Sequence, residues 1–237
     1  MATNKIYDSF KKVVADIPDG ATIFVGGWGA PGDLPDNLTA ALRDHGAKNL
    51  TIICTTSGTS QRMADAWGKK TEHITPNSLI ENKQVKEVIC SISFPNTAME
   101  KAVLAGEIKV EWSPQGTLAE RIRAGGAGLG GFYTRTGVGT VIAEGKEKKI
   151  IDGKEYILEL PLKADYALIR AYKADKLGNL IYRGMMNSFN ALEATAARIT
   201  IAEVDDIVEI GELDPSTIIT QEIFVNRIVK IPKEKQK

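Results

Sequence analysis

The order of elements between residues 21 and 54 constrains this chain more than any other feature. Ala21 to Val25 (ATIFV) is a short, β-branched apolar run that reads as a buried strand. A loop rich in glycine and proline follows, from Gly26 to Pro35. Asp36 to His45 then places Leu38, Ala41 and Leu42 on one helical face, with Gly46 as a stop signal. Leu50 to Cys54 is the next strand candidate. Strand, loop, helix, strand at this spacing is a βαβ unit, and strands joined through a helix pair in parallel.

The remaining sequence continues the alternation. Val85 to Ser91 and Ile108 to Trp112 read as strands, with a helix from Thr97 to Ala105 between them, ended by Gly106. Thr117 to Ala124 is a short helix before the glycine-rich run GGAGLGG at 125–131. The segment KKIIDGKEYILEL at 148–160 predicts a β-hairpin turning at Asp152-Gly153. Ala167 to Ala174 and Leu180 to Arg183 bracket a second turn, and Asn190 to Ala197 reads as helical. Ile199 to Val204 and a late strand around Val208 complete the pattern, while Tyr7 to Ala15 is an amphipathic helix and IPKEKQK a polar tail. The expected fold is α/β: an open, mostly parallel sheet with flanking helices and a β-rich excursion from about residue 130 to 185. At 237 residues a single domain can bury roughly 70–75 % of its unfolded surface, so the core needs no staples.

Several function classes are disfavoured early. Thirty basic residues balance thirty acidic ones, so no global positive field draws nucleic acid or anionic lipid. Cys54 and Cys90 each end an apolar run, which suits neither a disulfide framework nor a zinc site. His45 and His73 lack ligand-like spacing, so no metal is expected. The start, MATNKIYDSFKKVV, has no apolar signal region, and no run approaches the ~18 apolar residues of a membrane helix. A cytoplasmic protein is expected.

Two glycine runs fit GxGxxG. Gly27-Trp28-Gly29-Ala30-Pro31-Gly32 follows a strand and precedes a helix, as a dinucleotide fingerprint would. That function requires an acidic residue after the next strand for the ribose hydroxyls. The chain has Cys54-Thr55-Thr56-Ser57 there, and Pro31 and Pro35 delay the helix. Gly126-Ala127-Gly128-Leu129-Gly130-Gly131 follows a helix, which is the wrong context. Two readings of 26–32 stay open: tight-turn geometry, or close approach of a ligand's acyl group to backbone N–H donors. No GxSxG, HExxH, P-loop or CxxC occurs. Glu81 and Glu144 read as a polar helix end or loop and as a turn residue, so composition and spacing single out no nucleophile.

A longer resemblance adds what spacing cannot. Asp19-Gly20 through Gly32 resembles the DG–strand–GGFG loop of the α-type half of family I coenzyme A (CoA) transferases, a group that includes acetoacetate, 3-oxoadipate and succinyl-CoA:3-oxoacid transferases. Pro114-Gln115-Gly116-Thr117-Leu118-Ala119-Glu120-Arg121 through Gly128 is the most specific passage. It continues as FYT (132–134), TGVGT (136–140) and Ala143-Glu144-Gly145. Ala164-Asp165 to Ile169, Asp175 to Arg183, and Gly211 to Pro215 also fit, so the resemblance spans almost the whole chain.

The resemblance implies a heteromeric transferase, α2β2, whose β-type partner supplies a nucleophilic glutamate. This chain would contribute no catalytic nucleophile, and Glu144 keeps its turn role. Acyl-CoA and a small carboxylate would be the ligands, with CoA a substrate rather than a resident cofactor. The residues implied to bind substrate are Gly26, Gly27, Trp28, Gly29, Gly32, Thr55, Thr56 and Gln115. Gln115 stands at the family position that holds the substrate carboxylate; a structural hydrogen bond to glycine-rich backbone is the alternative. Trp28 replaces the family's phenylalanine, the loop carries one extra residue before Pro35, Thr55-Thr56 stands where two asparagines are common, and 59–84 is longer and more polar. A CoA-thioester hydrolase or lyase of the same fold, or a non-enzymatic acyl-CoA-binding module, are the alternatives.

Overall fold

In the computed structural model, which describes residues 4–29, 32–58, 74–93 and 97–235, the βαβ unit forms as the sequence requires. Strand β2 (Thr22–Val25) pairs in parallel with β3 (Leu50–Ile53), and helix α2 (Asp36–His45) crosses between them. Further strands are β1 (Ile6–Tyr7), β4 (Val85–Cys90), β5 (Lys109–Trp112), β9 (Ala164–Asp175), β10 (Leu180–Ile181), β11 (Ala197–Val208) and β12 (Arg227–Lys230). They form one open sheet in the order β1-β12-β11-β9-β2-β3-β4-β5, parallel throughout, with β10 antiparallel on β9.

Alternation along the strands feeds two cores. Ile23, Val25, Ile52 and Leu168 face one side, where they meet Leu38 and Leu42 of α2 and apolar residues of α1 (Phe10–Val13), α3 (Pro76–Glu81) and α4 (Ala98–Leu104). Phe24, Ile53, Ala167 and Ile169 face the other side, against Leu118 and Ile122 of α5 (Gln115–Ala127) and Phe189 of α6 (Phe189–Glu193). Such double-sided burial is why these strands read as near-continuous apolar runs.

Helix α2 fixes the far end of the glycine loop. Its N-cap, Pro35, makes no side-chain cap bond. The Leu38 N–H instead donates to Glu203 Oε2 at 2.8 Å, and Asn37 Nδ2 donates to Glu203 Oε1 at 3.2 Å. A carboxylate on β11 therefore does the work of a helix cap. Gly46 closes the helix in the left-handed region, its N–H donating to Leu42 O.

Several expectations are corrected. Residues 164–175 do not belong to a β-rich excursion. They form the 12-residue central strand β9, paired with both β2 and β11, although its end does turn back into β10. The excursion is the small antiparallel sheet β6 (Phe132–Thr134), β8 (Lys154–Glu159) and β7 (Lys148–Ile151), with the hairpin at Asp152-Gly153 as expected. The first helix shrinks to Phe10–Val13, because Ile6 and Tyr7 pair with β12, a strand that the sequence does not announce. Ile199–Val204 and the strand near Val208 are one strand, β11, which also takes Ala197 from the expected helix. Helix α5 continues to Ala127, through glycines expected in a loop. A Cβ on Gly125 would land on the Leu162 carbonyl oxygen, and one on Gly126 on Thr195 Oγ1. These two glycines serve close packing, not turning. Ala30, Pro31, His73 and most of the polar 59–84 segment lie outside the described residues. No described helix is long and apolar enough to cross a membrane, and the described residues hold no cluster of His, Cys, Asp and Glu able to hold a metal.

Candidate functional site

Loops at the carboxyl ends of adjacent parallel strands form the natural ligand crevice of such a sheet. Here β2, β3, β4 and β5 lie side by side, and they deliver Gly26–Gly29, Thr55–Thr56, Ser91 and Gln115 respectively.

The first loop is built to close limits. Gly26 extends the sheet, its N–H donating to Leu168 O at 2.9 Å. A Cβ there would collide with Asn190 Oδ1 and lie 3.2 Å from Glu193 Oε2, so glycine is required. Gly27 and Gly29 have φ of +92° and +102°. A Cβ on Gly27 would sit 2.6 Å from Asp33 O, and one on Gly29 2.6 Å from the Thr56 methyl. The glycines thus supply positive φ, as the tight-turn reading expects, and they also permit tight contact with their own neighbours. Gly32 also has positive φ, +91°, but a Cβ there would meet nothing within 4 Å among the described residues.

Asp33 folds back under this loop. It is 1 % exposed, and its Oδ2 accepts the Trp28 N–H at 2.6 Å. Its main-chain oxygen accepts from Asn190 Nδ2 at 2.9 Å. Burial pushes its carboxyl up to about 6, opposed by the Trp28 and Gly29 amides and reinforced by Asp36. Trp28 itself is half exposed, its indole edge-on to Phe189 with ring centroids 6.1 Å apart.

The neighbouring loops support the first. Thr55 Oγ1 donates to Gly27 O at 3.1 Å. Thr56 Oγ1 accepts from Gly58 N–H, leaving its methyl group against Gly29. Both threonines are buried, with their hydroxyls engaged inside the chain. Ser91 Oγ contacts Gln115 Oε1 and lies 2.7 Å from Thr55 O. That carbonyl already accepts the Ser91 and Ile92 amides, so the single hydroxyl proton can serve Gln115. Gln115 Nε2 is then a buried donor without a partner among the described residues. The Gly27 N–H likewise has no acceptor there. Thr55 thus holds the Gly27 carbonyl and Ser91 holds Gln115, and each held residue keeps one N–H donor unsatisfied among the described residues.

Deeper groups carry no local sequence signal. Asn190 holds Asp33 O and Met186 O through Nδ2 and receives the Arg170 N–H on Oδ1. Glu193 is fully buried beneath Gly26, both oxygens lack partners among the described residues, and burial drives its carboxyl well above the usual range. The reason sequence reasoning misses both is distance: the contact runs from α6 to a loop more than a hundred residues earlier. Asp33 has one local signal, an acid inside an otherwise uncharged Gly/Pro loop. Glu203 is raised to about 7, first by burial, with Arg170 acting against the rise. Cys54 and Cys90 are buried free thiols, both raised by desolvation, and so are unsuited to nucleophilic work.

Beside the loop opens a cavity of about 590 Å³, lined by Trp28, Arg123, Phe189, Leu192, Ile219 and Phe224 among others. Trp28 and Ile219 are both at least half exposed.

Residues 7–231 match the coenzyme A transferase family. The chain is 47 % identical over 225 residues to the A-type subunit of a probable succinyl-CoA:3-ketoacid coenzyme A transferase from Bacillus subtilis (strain 168), covering 95 % of this chain and 89 % of that protein. It is 44 % identical over 232 residues to the A-type subunit of a 3-oxoadipate CoA-transferase from Pseudomonas putida, covering 96 % and 94 %. Its fold matches an acyl-CoA transferase of E. coli O157:H7, solved as a thioester complex with CoA, with a TM-score of 0.83 and 22 % identity. That match covers 99 % of this chain, which spans about half (48 %) of the solved chain. The chain belongs to the coenzyme A transferase family, as the A-type subunit of a CoA transferase.

Proposed function

We propose that this chain forms the acyl- and carboxylate-binding half of a heteromeric CoA transferase whose B-type partner brings the attacking glutamate. The relatives at 44–47 % identity are named as A-type subunits, which implies a B-type counterpart. An α2β2 assembly in the cytoplasm is the arrangement we favour. In the reaction, the partner's glutamate attacks the thioester carbonyl of an acyl-CoA and expels CoA thiolate, leaving an acyl–glutamyl anhydride. The thiolate attacks the glutamyl carbonyl, releasing the acyl group as a carboxylate and leaving a glutamyl–CoA thioester. The acceptor carboxylate then reverses these two steps.

The observation that carries this reading is the pair of unsatisfied donors, Gly27 N–H and Gln115 Nε2, on loops that follow strands of the same parallel sheet. Gly27 N–H suits the oxyanion that develops on the acyl oxygen. Gln115 Nε2 suits a carboxylate oxygen, which a buried amide without a partner would gain by binding. Gly26, Gly29 and Gly32 shape the ribbon, Thr55 and Thr56 brace it, and Trp28 walls the ligand entrance. CoA enters as substrate.

The test is an exchange assay on the co-purified complex against a panel of short acyl-CoAs and carboxylates. Transfer of CoA to an added carboxylate supports the reading. Release of free CoA without transfer would assign the pair to thioester hydrolysis. Tight acyl-CoA binding by the lone chain, with no turnover in the complex, would make it a binding module.

A further inference from the structure

We propose that Asp33 is a positioning residue of the transfer site: its carboxylate holds the glycine loop from beneath, so that the Gly27 N–H is the amide left to meet the acyl oxygen. The proposal rests on the site assignment above and deepens it.

Three contacts converge on this residue. Asp33 Oδ2 takes the Trp28 N–H at 2.6 Å, and Asn190 Nδ2 holds Asp33 O. The Gly27 backbone approaches so closely that an added Cβ would stand 2.6 Å from Asp33 O. Without the carboxylate, the Trp28 N–H would lose its acceptor, and the Gly27–Gly29 backbone would lose its anchor. Trp28 stands between two glycines that each tolerate either sign of φ, so their own sterics do not fix the course of the loop. A side chain must impose the geometry, and Asp33 is the group that reaches it.

The alternatives for Asp33 are weaker. It is 1 % exposed, which removes it from general contact with solvent ions. Its Oδ1 has no partner among the described residues, so the hydrogen bond from Trp28 is the carboxylate's tie to the loop. The charged groups around it are Asp36 at the start of α2, Glu193 of α6 beneath Gly26, and the Glu203–Arg170–Asp205 set on β11 and β9 behind α2. Asp36 is acidic and opposes ionisation, while the amides of Trp28 and Gly29 favour it. The hold on the loop therefore weakens as the carboxyl takes up a proton, over a range near neutral pH.

The test compares wild type, Asp33→Asn and Asp33→Ala in the full heteromer, with kcat and KM for acceptor carboxylate measured from pH 5 to 8. Asparagine is close to isosteric and keeps the proposal falsifiable if the alanine variant fails to assemble. We expect Asp33→Asn to lower kcat about tenfold or more at pH 7.5, the loss of one charge-assisted hydrogen bond. KM should change less than about threefold, because the loop acts on the transition state. Wild type should show an acid limb near pH 6, and the variant should lack it. A wild-type rate and profile in Asp33→Asn would overturn the proposal, as would a lowered rate that keeps the same acid limb. Gln115→Ala, measured alongside, separates the two claims. If it loses activity while Asp33→Asn does not, the site stands and the positioning role falls. If Gln115→Ala is unaffected, the site itself is misassigned.

Discussion

Gln115 begins α5 with its amide oxygen fixed by Ser91 and its amide nitrogen unpaired among the described residues. Replacing it with alanine should raise KM for the acceptor carboxylate by the value of one hydrogen bond to a charged group, about 1.5–3 kcal/mol, with the melting temperature little changed. Steady-state kinetics of the complex check this. Gly29→Val should abolish exchange, because valine is strained at φ +102° and its Cβ would meet the Thr56 methyl at 2.6 Å. The clash is with this chain's own neighbour, a different cause from a blocked ligand approach. Asp33→Asn has a stability consequence whose sign follows from its raised pKa. The folded value of about 6 lies above the ordinary value of 3.8. The folded state thus binds more protons in between, so the contribution is favourable at low pH and lost as pH rises through 6. Ionised Asp33 then costs about 3 kcal/mol at neutral pH. The asparagine variant should be more resistant to denaturant at pH 7.5, with the gain gone below about pH 4. Loop residues and Gln115 are legible in the sequence because they stand in contiguous motifs. The Asn190 contact to Asp33 is not, since it comes from α6, 157 positions away in the chain.

Among the elements, helices are legible wherever a face and a stop coincide. Asp36–His45 has the bounds that Leu38, Leu42 and Gly46 require. Helix α5 outruns its sequence signal because its glycines resemble punctuation. Their real function appears only with β9 and α6 in place, where Gly125 and Gly126 let the helix touch Leu162 and Thr195. Gly125→Ala should therefore destabilise the fold despite alanine's better helix propensity, by about 1–3 kcal/mol or more, as overpacked sites do. Urea denaturation of the purified chain checks the sign. Strand β9 looks like half a hairpin for a related reason. Its turn signal, Asp175 to Asn179, is real, with Asp175 Oδ1 accepting from the Leu177, Gly178 and Asn179 amides. Local sequence cannot reveal that the same strand also pairs with β2 and β11, because both partners lie outside the hairpin.

At the scale of the whole molecule, the described residues supply donors and a shaped crevice, and they contain no activated nucleophile at the site. The buried thiols are raised by desolvation, and Glu193 lies sealed beneath Gly26. Exposed Trp28 and Ile219 at a cavity of about 590 Å³ suit a surface completed by a second polypeptide. Co-expression with the gene for the B-type partner should yield a stable complex on size-exclusion chromatography with light scattering, and the separated chain should lack exchange activity. The most direct measurement is the intact mass of each chain after the complex meets acyl-CoA without acceptor. The partner should gain the mass of CoA less one water, as a glutamyl thioester, while this chain stays unmodified. A CoA adduct on this chain, or turnover by this chain alone, would contradict it.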